Sequence, residues 1–409
     1  MNSTQNTGFP GDEKVDRLIE IVRELRPLLQ KNAPMGEKQR SPMQEVVDAL
    51  DEHNIFRMLQ PTRWGGLGIS PTGFARVQME IAKGDPSISW VVQILNGQTW
   101  VATLGTDELQ ESMFSSDPDK QVLICGAYNP PGKAEKVDGG YIVNGAWPYC
   151  SGSRQGNWVQ SGCVITDEES GKPVTAGINM AYFPIEEGTI KDTWFVTGMQ
   201  GTGSDTIVAK DVFVPDERMV VTAERPFGDH YEGKKHVGAP SDYIPVVPMV
   251  RSTGLAQLVG AAEYMLELVE EDAPKKPIVT TTITKRTDSG NYMYNLGKAA
   301  SEIDSAKKLM LDACRQVEEL GLERKKFTTL EAGQHKGQCS QVTDLIHSAI
   351  ERLMFLAGSS SFSLDKPIQR YWRDVHVGLR HVTNIPYVGY EIYSRDRLEV
   401  ENISPPGAY

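Results

Sequence analysis

The segment Trp147-Pro-Tyr-Cys-Ser-Gly-Ser-Arg-Gln-Gly-Asn-Trp158 collects aromatic rings, a thiol and two hydroxyls around Gly152. Strand-like runs flank it, Tyr141-Ile-Val-Asn before and Trp158-Val-Gln-Ser-Gly-Cys-Val-Ile after. Such a set can form a wall for a planar ring system, with Trp147 and Tyr149 as its rings and the Ser151 hydroxyl able to reach an edge. Cys150 belongs to the same stretch; with no base beside it, the thiol reads as packing more than as a nucleophile. A second such segment, Trp194-Phe-Val-Thr-Gly-Met-Gln-Gly-Thr-Gly-Ser-Asp, brings Thr202 and Ser204, candidates for cofactor contact or for plain hairpin hydrogen bonding. Its glycines look like a dinucleotide fingerprint. A strand-like Ile207-Val-Ala follows, however, where a phosphate-binding helix would have to begin, so nicotinamide binding by this chain is rejected.

Further along, His381 lies in Arg373-Asp-Val-His-Val-Gly-Leu-Arg-His-Val-Thr-Asn, late in a predicted helix. An imidazole titrating near ~6.5 is suited to proton transfer at working pH. Trp90 and Trp100, on an apolar helix, would suit a flat aromatic guest, and Gln98 lies between them.

These groups need elements to position them. Apolar residues at helical spacing predict helices over 12–32, 42–53, 72–83 and 87–104, so the first hundred-odd residues are mostly α. From Gln121 the pattern becomes short β-rich runs divided by Gly, Pro, Asn and Asp: 121–126, 134–137, 141–144, 158–165, 175–183, 189–194 and 206–214. That spacing suggests an antiparallel barrel or sandwich. Four long helices follow, 248–271, 291–320, 330–357 and 367–395, enough for a bundle. The expected domains are 1–118 (helical), 119–224 (β) and 225–409 (helical bundle), an α+β organisation.

Composition narrows the options. Hydrophobic residues at 39 % and charged ones at 23 % describe a globular chain, and no apolar run reaches the roughly 20 residues of a membrane span. The first residues lack a basic-then-apolar leader, so a cytoplasmic location is expected. A net charge of −12 argues against nucleic-acid binding. Five scattered cysteines with no Cys-x-x-Cys pair read as free thiols, and no metal site is expected.

The order α, β, four-helix bundle and the two ring-binding segments resemble the acyl-CoA dehydrogenase fold. The closer likeness is to its monooxygenase branch, the oxygenase components of two-component flavin hydroxylases. The resemblance implies reduced FMN or FAD supplied by a separate reductase, with O2 as co-substrate. It implies oxygen transfer through a C4a-hydroperoxide to an aromatic or heteroaromatic ring, indole-like or phenolic, and a homotetramer. Ser151 stands where relatives set a hydroxyl against the flavin N5, and His381 where a substrate-facing base is found. Gln98 replaces a second histidine of phenol-hydroxylating relatives, which casts doubt on a charged ligand there. Arg251 falls near a flavin-contacting arginine of relatives, although Val247 is the better match. Two alternatives share the fold. One is an amino-sugar N-oxygenase. The other is an acyl-CoA dehydrogenase, for which Asp365, eight residues before Arg373-Asp374, would be the base. That second reading lacks the glycine pair of the dehydrogenase run and its Thr-Glu-Pro element.

Overall fold

The computed structural model describes residues 8–115, 121–166, 173, 179–221 and 233–404. The expected boundaries at 118/119 and 224/225 lie outside these residues, as does the start of the strand expected from Thr175.

Five helices come first: α1 (Asp12–Gln39), α2 (Gln44–Asp51), α3 (Pro71–Gly84), α4 (Pro86–Ala102) and α5 (Asp107–Phe114). Local chemistry sets their starts. Ser70 accepts from Gly73 N to cap α3, and Asp85 accepts from Ser87 N with Pro86 in the first turn of α4. Because α4 is apolar nearly all round, it is buried along almost its whole length.

The middle is a seven-stranded sheet: β1 (Ile124–Val137), β2 (Gly140–Cys150), β3 (Trp158–Thr166), β4 (Asn179–Pro184), β5 (Thr189–Lys191), β6 (Asp205–Pro215) and β7 (Met219–Val220). Their order is β5-β6-β2-β1-β3-β4-β7. Asp138-Gly139, with Gly139 at φ +74°, turns β1 into β2. The chain then crosses to the other edge of β1, which makes β3 parallel to β1. The sheet is therefore mixed, not wholly antiparallel as expected. The two runs expected at 121–126 and 134–137 are one strand with a register shift between Ala127 and Gly132.

The C-terminal helices are α6 (Val246–Thr253), α7 (Ala256–Asp272), α8 (Gly290–Glu323), α9 (Thr329–Ala357), α10 (Pro367–Leu379) and α11 (Pro386–Arg397). Two of the four expected helices are each broken in two. Ser252 and Thr253 hydroxyls bond back to carbonyls of Pro248 and Met249 just before Gly254, ending α6. Pro386 excludes helical geometry from the residue before it and starts α11 afresh. Among the described residues no helix is long and apolar enough to cross a membrane.

Candidate active site

The end of β2 meets the 198–204 loop, the first half of α4 and the end of α10. Tyr149 is left-handed at φ +64° and Gly152 at φ +72°, which swings Ser151 inward. A Cβ on Gly152 would lie 3.2 Å from both Val91 and Leu95 of α4, so only glycine lets the turn approach that helix. Gly152 N donates to Thr202 O at 2.9 Å and Ser153 Oγ to Gly203 O at 2.9 Å, lacing the two segments together.

Buried hydroxyls continue the lacing. Ser151 Oγ lies 2.7 Å from Ser204 Oγ, which lies 2.7 Å from Thr202 Oγ1, which donates to Met199 O at 2.8 Å. Each hydroxyl has one hydrogen. With Thr202 spending its hydrogen on the carbonyl, Ser204 must donate to Thr202 and Ser151 to Ser204. Trp90 Nε1, a donor only, gives its hydrogen to Ser151 Oγ at 3.2 Å. Ser151 is thus left with one lone pair, an acceptor held in fixed orientation beside the Trp90 ring.

His381 does not lie in a long helix. It caps the short turn Val382–Asn384 beyond α10. The ring meets Trp90 edge-on, centroids 5.3 Å apart at 70°. Its Nδ1 is 2.8 Å from Thr383 Oγ1, and Nε2 has no hydrogen-bond partner among the described residues. Burial lowers its pKa, so the ring is neutral at pH 7.

The loop is gripped from α10. Met199 N donates to Asp374 Oδ1 at 2.6 Å, Ser87 Oγ to Asp374 Oδ2 at 3.3 Å, and Arg373 Nη1 to Thr197 O at 2.8 Å. Burial, then the nearby Asp85 charge, push the Asp374 carboxyl up to about 7. On the loop's other flank, Asp205 accepts from Thr193 N and Trp194 N at 3.0 and 3.1 Å. The importance of Asp374 was missed in the sequence; an acid within the apolar stripe of an amphipathic helix was its signal.

One stripe of α4 continues the wall: Trp90 at Ser151, Val91 and Leu95 against Gly152, then Gln98. Gln98 Oε1 accepts from Tyr128 OH at 3.4 Å, and Gln160 Nε2 donates to the same hydroxyl at 3.2 Å. Burial pushes the Tyr128 phenol to about 12, so this cluster is neutral.

Several expected site residues lie elsewhere. Trp147 is wholly buried in the core under β2, with Nε1 donating to Gly162 O at 2.8 Å, so its ring faces no ligand. Cys150 is likewise buried, its Sγ on Trp147 O at 3.2 Å and its pKa pushed to about 12. The register irregularity between Trp147 and Cys150 in the β2–β6 pairing puts both on the core face, where strict alternation would have separated them. The Tyr149 side chain points outward, 69 % exposed, its edge on Trp194. Trp100 is a core residue whose Nε1 donates to Ser241 O at 3.2 Å. Arg251 is buried near His335, Lys336 and Cys339 of α9, and among the described residues it has no acidic partner. Among the described residues no hydrogen bond joins it to the Ser151 cluster. Asp365 is exposed on the turn before α10, its carboxyl lowered by Ser363 and Lys366, and has no contact with the site. The dehydrogenase reading thereby loses its base.

Fold and site define a class, and similarity to known proteins agrees. Residues 18–115 match the acyl-CoA dehydrogenase N-terminal domain and 253–385 the acyl-CoA dehydrogenase C-terminal domain. The chain is 32 % identical over 393 residues to the flavin-dependent monooxygenase oxygenase subunit HsaA of Mycobacterium tuberculosis, covering 95 % of this chain and 96 % of that one. It is 26 % identical to the oxygenase component of an FADH2-dependent resorcinol hydroxylase of a Rhizobium species, over 94 % of each. Among solved structures, XiaF of a Streptomyces species, in complex with FADH2 and glycerol, superposes with a TM-score of 0.90 at 26 % identity, covering 96 % of this chain and 98 % of that one. The protein has the acyl-CoA dehydrogenase fold. Within that fold it belongs to the family of flavin-dependent monooxygenase oxygenase subunits.

Proposed function

We propose that the protein is the oxygenase component of a two-component monooxygenase, taking reduced FMN or FAD from a separate reductase and oxygenating an aromatic or heteroaromatic small molecule. When bound, the reduced flavin supplies the chemistry that activates O2. The observation that carries this reading is the polarity of the hydroxyl chain. It leaves Ser151 Oγ as an acceptor beside a ring wall, fit to hold the hydrogen on flavin N5. Trp90 and the backbone of Gly152 to Ser204 would frame the flavin, with Thr202 and Ser204 orienting Ser151. His381, neutral and with Nε2 unpartnered, would take a proton from or hydrogen-bond to the substrate. Gln98, in its neutral cluster, would meet an uncharged polar edge of the substrate. The relative that hydroxylates resorcinol supports an aromatic substrate.

Self-association into a tetramer is part of the same reading. It is supported by apolar side chains left in solvent at the end of α9 and the turn after it, Phe355 at 88 % and Leu364 at 85 % exposure. Anaerobic equilibrium dialysis against reduced FMN and FADH2 tests the central step. Saturable binding of one flavin per chain, weakened in Gly152→Val, is expected; equal weak retention by both proteins would overturn it.

A further inference from the structure

A second constellation with chemistry lies where α9 meets α10, the helix that grips the loop. His347 and Glu351, one turn apart on α9, face His376 of α10, and a ligand atom of each lies within 4.8 Å of the others. His376 Nε2 and Glu351 Oε1 are 2.6 Å apart, and Trp372 Nε1 donates to that same oxygen at 2.8 Å. The His347 and His376 rings meet at 84°, centroids 5.4 Å apart. The proposed oxygenation uses none of these groups.

Two imidazoles and a carboxylate converging from two helices form the donor set of a borderline divalent cation. We propose that His347, Glu351 and His376 form a site for Zn2+ or a similar first-row divalent ion, with solvent completing the coordination, and that the ion pins α10 to α9.

The chemistry fits this assignment. Ligand atoms around tetrahedral zinc sit about 3.3 Å apart, given bonds of ~2.0–2.1 Å. Closing from 4.8 Å asks only for side-chain rotation, since His347 and Glu351 are exposed. The cation takes the place of the hydrogen on His376 Nε2 that Glu351 now accepts, and that hydrogen moves to Nδ1, so the imidazole stays neutral. Trp372 fixes the carboxylate from behind, as outer-shell donors do. One group opposes binding. Arg380 Nη1 lies 2.9 Å from His376 Nδ1, and a metal on Nε2 requires a hydrogen on Nδ1, which the guanidinium repels. Arg380 is exposed and can turn away. The consequence reaches the active site, because α10 carries Arg373 and Asp374 and leads directly into His381.

The test is calorimetric titration of Zn2+ into untagged full-length protein, with Co2+ as a spectroscopic substitute. One ion per chain is expected. His347→Ala and Glu351→Gln should each weaken binding about tenfold or more. Arg380→Gln should tighten it, and Zn2+ should raise the thermal midpoint of the wild type but not of His347→Ala. The exposed positions of His347 and Arg380 keep those variants folded. No binding, or affinity indifferent to both His347→Ala and Glu351→Gln, overturns the proposal.

Discussion

Asp374→Asn is the perturbation whose size follows most directly from the structure. The carboxyl is almost fully buried on α10, accepts from Met199 N and Ser87 Oγ, and is pushed by burial and by Asp85 to about 7. An acid whose folded pKa exceeds its unfolded value holds its proton more tightly in the native state. Its contribution is whole below pH ~4 and is lost as pH rises toward ~7. About three units at ~1.36 kcal/mol each put the loss on the order of 4 kcal/mol. Asparagine keeps an acceptor for Met199 N but cannot ionise, so it escapes this loss. Thermal unfolding of both proteins at pH 5, 6 and 7 is the assay. Between pH 5 and 7 the variant should gain about 2 kcal/mol on the wild type, since the folded-state carboxyl is only half ionised at pH ~7. For 409 residues, at ~2.1 cal/mol/K per residue, that is a relative midpoint shift of about 2 °C. Midpoints that move in parallel across this range would refute the placement of an ionising carboxyl under Met199.

Other expectations are as specific. Ser151→Ala removes the oriented acceptor; reduced flavin bound to the variant should be reoxidised by O2 about tenfold or more faster to peroxide, read by stopped-flow absorbance. His381→Gln should lower product formed per flavin oxidised without changing flavin affinity. In the wild type, product yield should hold from pH 7 downward and fall only as pH drops through the lowered histidine pKa, a limb that the glutamine variant lacks. Arg251→Met replaces a buried guanidinium that has no acidic partner among the described residues, and should raise the thermal midpoint of the flavin-free protein; a lower midpoint would show the cation to be compensated.

Much of this could be read in the chain, and the failures have physical causes. The three-part order of elements follows from periodicity. Ser151, Gly152, Thr202 and Ser204 share a site because small polar residues between strands leave room for a ligand and little else to do. The misplacements concern direction. Strict alternation along β2 would set Trp147 and Tyr149 on one face and Cys150 on the other; the register irregularity between Trp147 and Cys150 buries those two and turns Tyr149 out, and no spacing rule shows that bulge in advance. Trp100 and Gln98 lie two residues apart on a helix buried all round, where hydrophobicity cannot tell a ligand-facing stripe from a core-facing one. His381 looked helical because its neighbours are periodic; the break before Pro386 turns its ring toward Trp90. Arg251 and Asp365 both lie away from the expected site, one buried and one exposed, since the burial of a single charge depends on tertiary packing alone.

The most direct measurement mixes anaerobic protein and reduced flavin with oxygenated buffer in a stopped-flow spectrophotometer. A transient near-ultraviolet band that precedes oxidised flavin, and shortens in Ser151→Ala, is the predicted result. Oxidised flavin appearing at once, at the rate of reduced flavin without protein, would contradict the account.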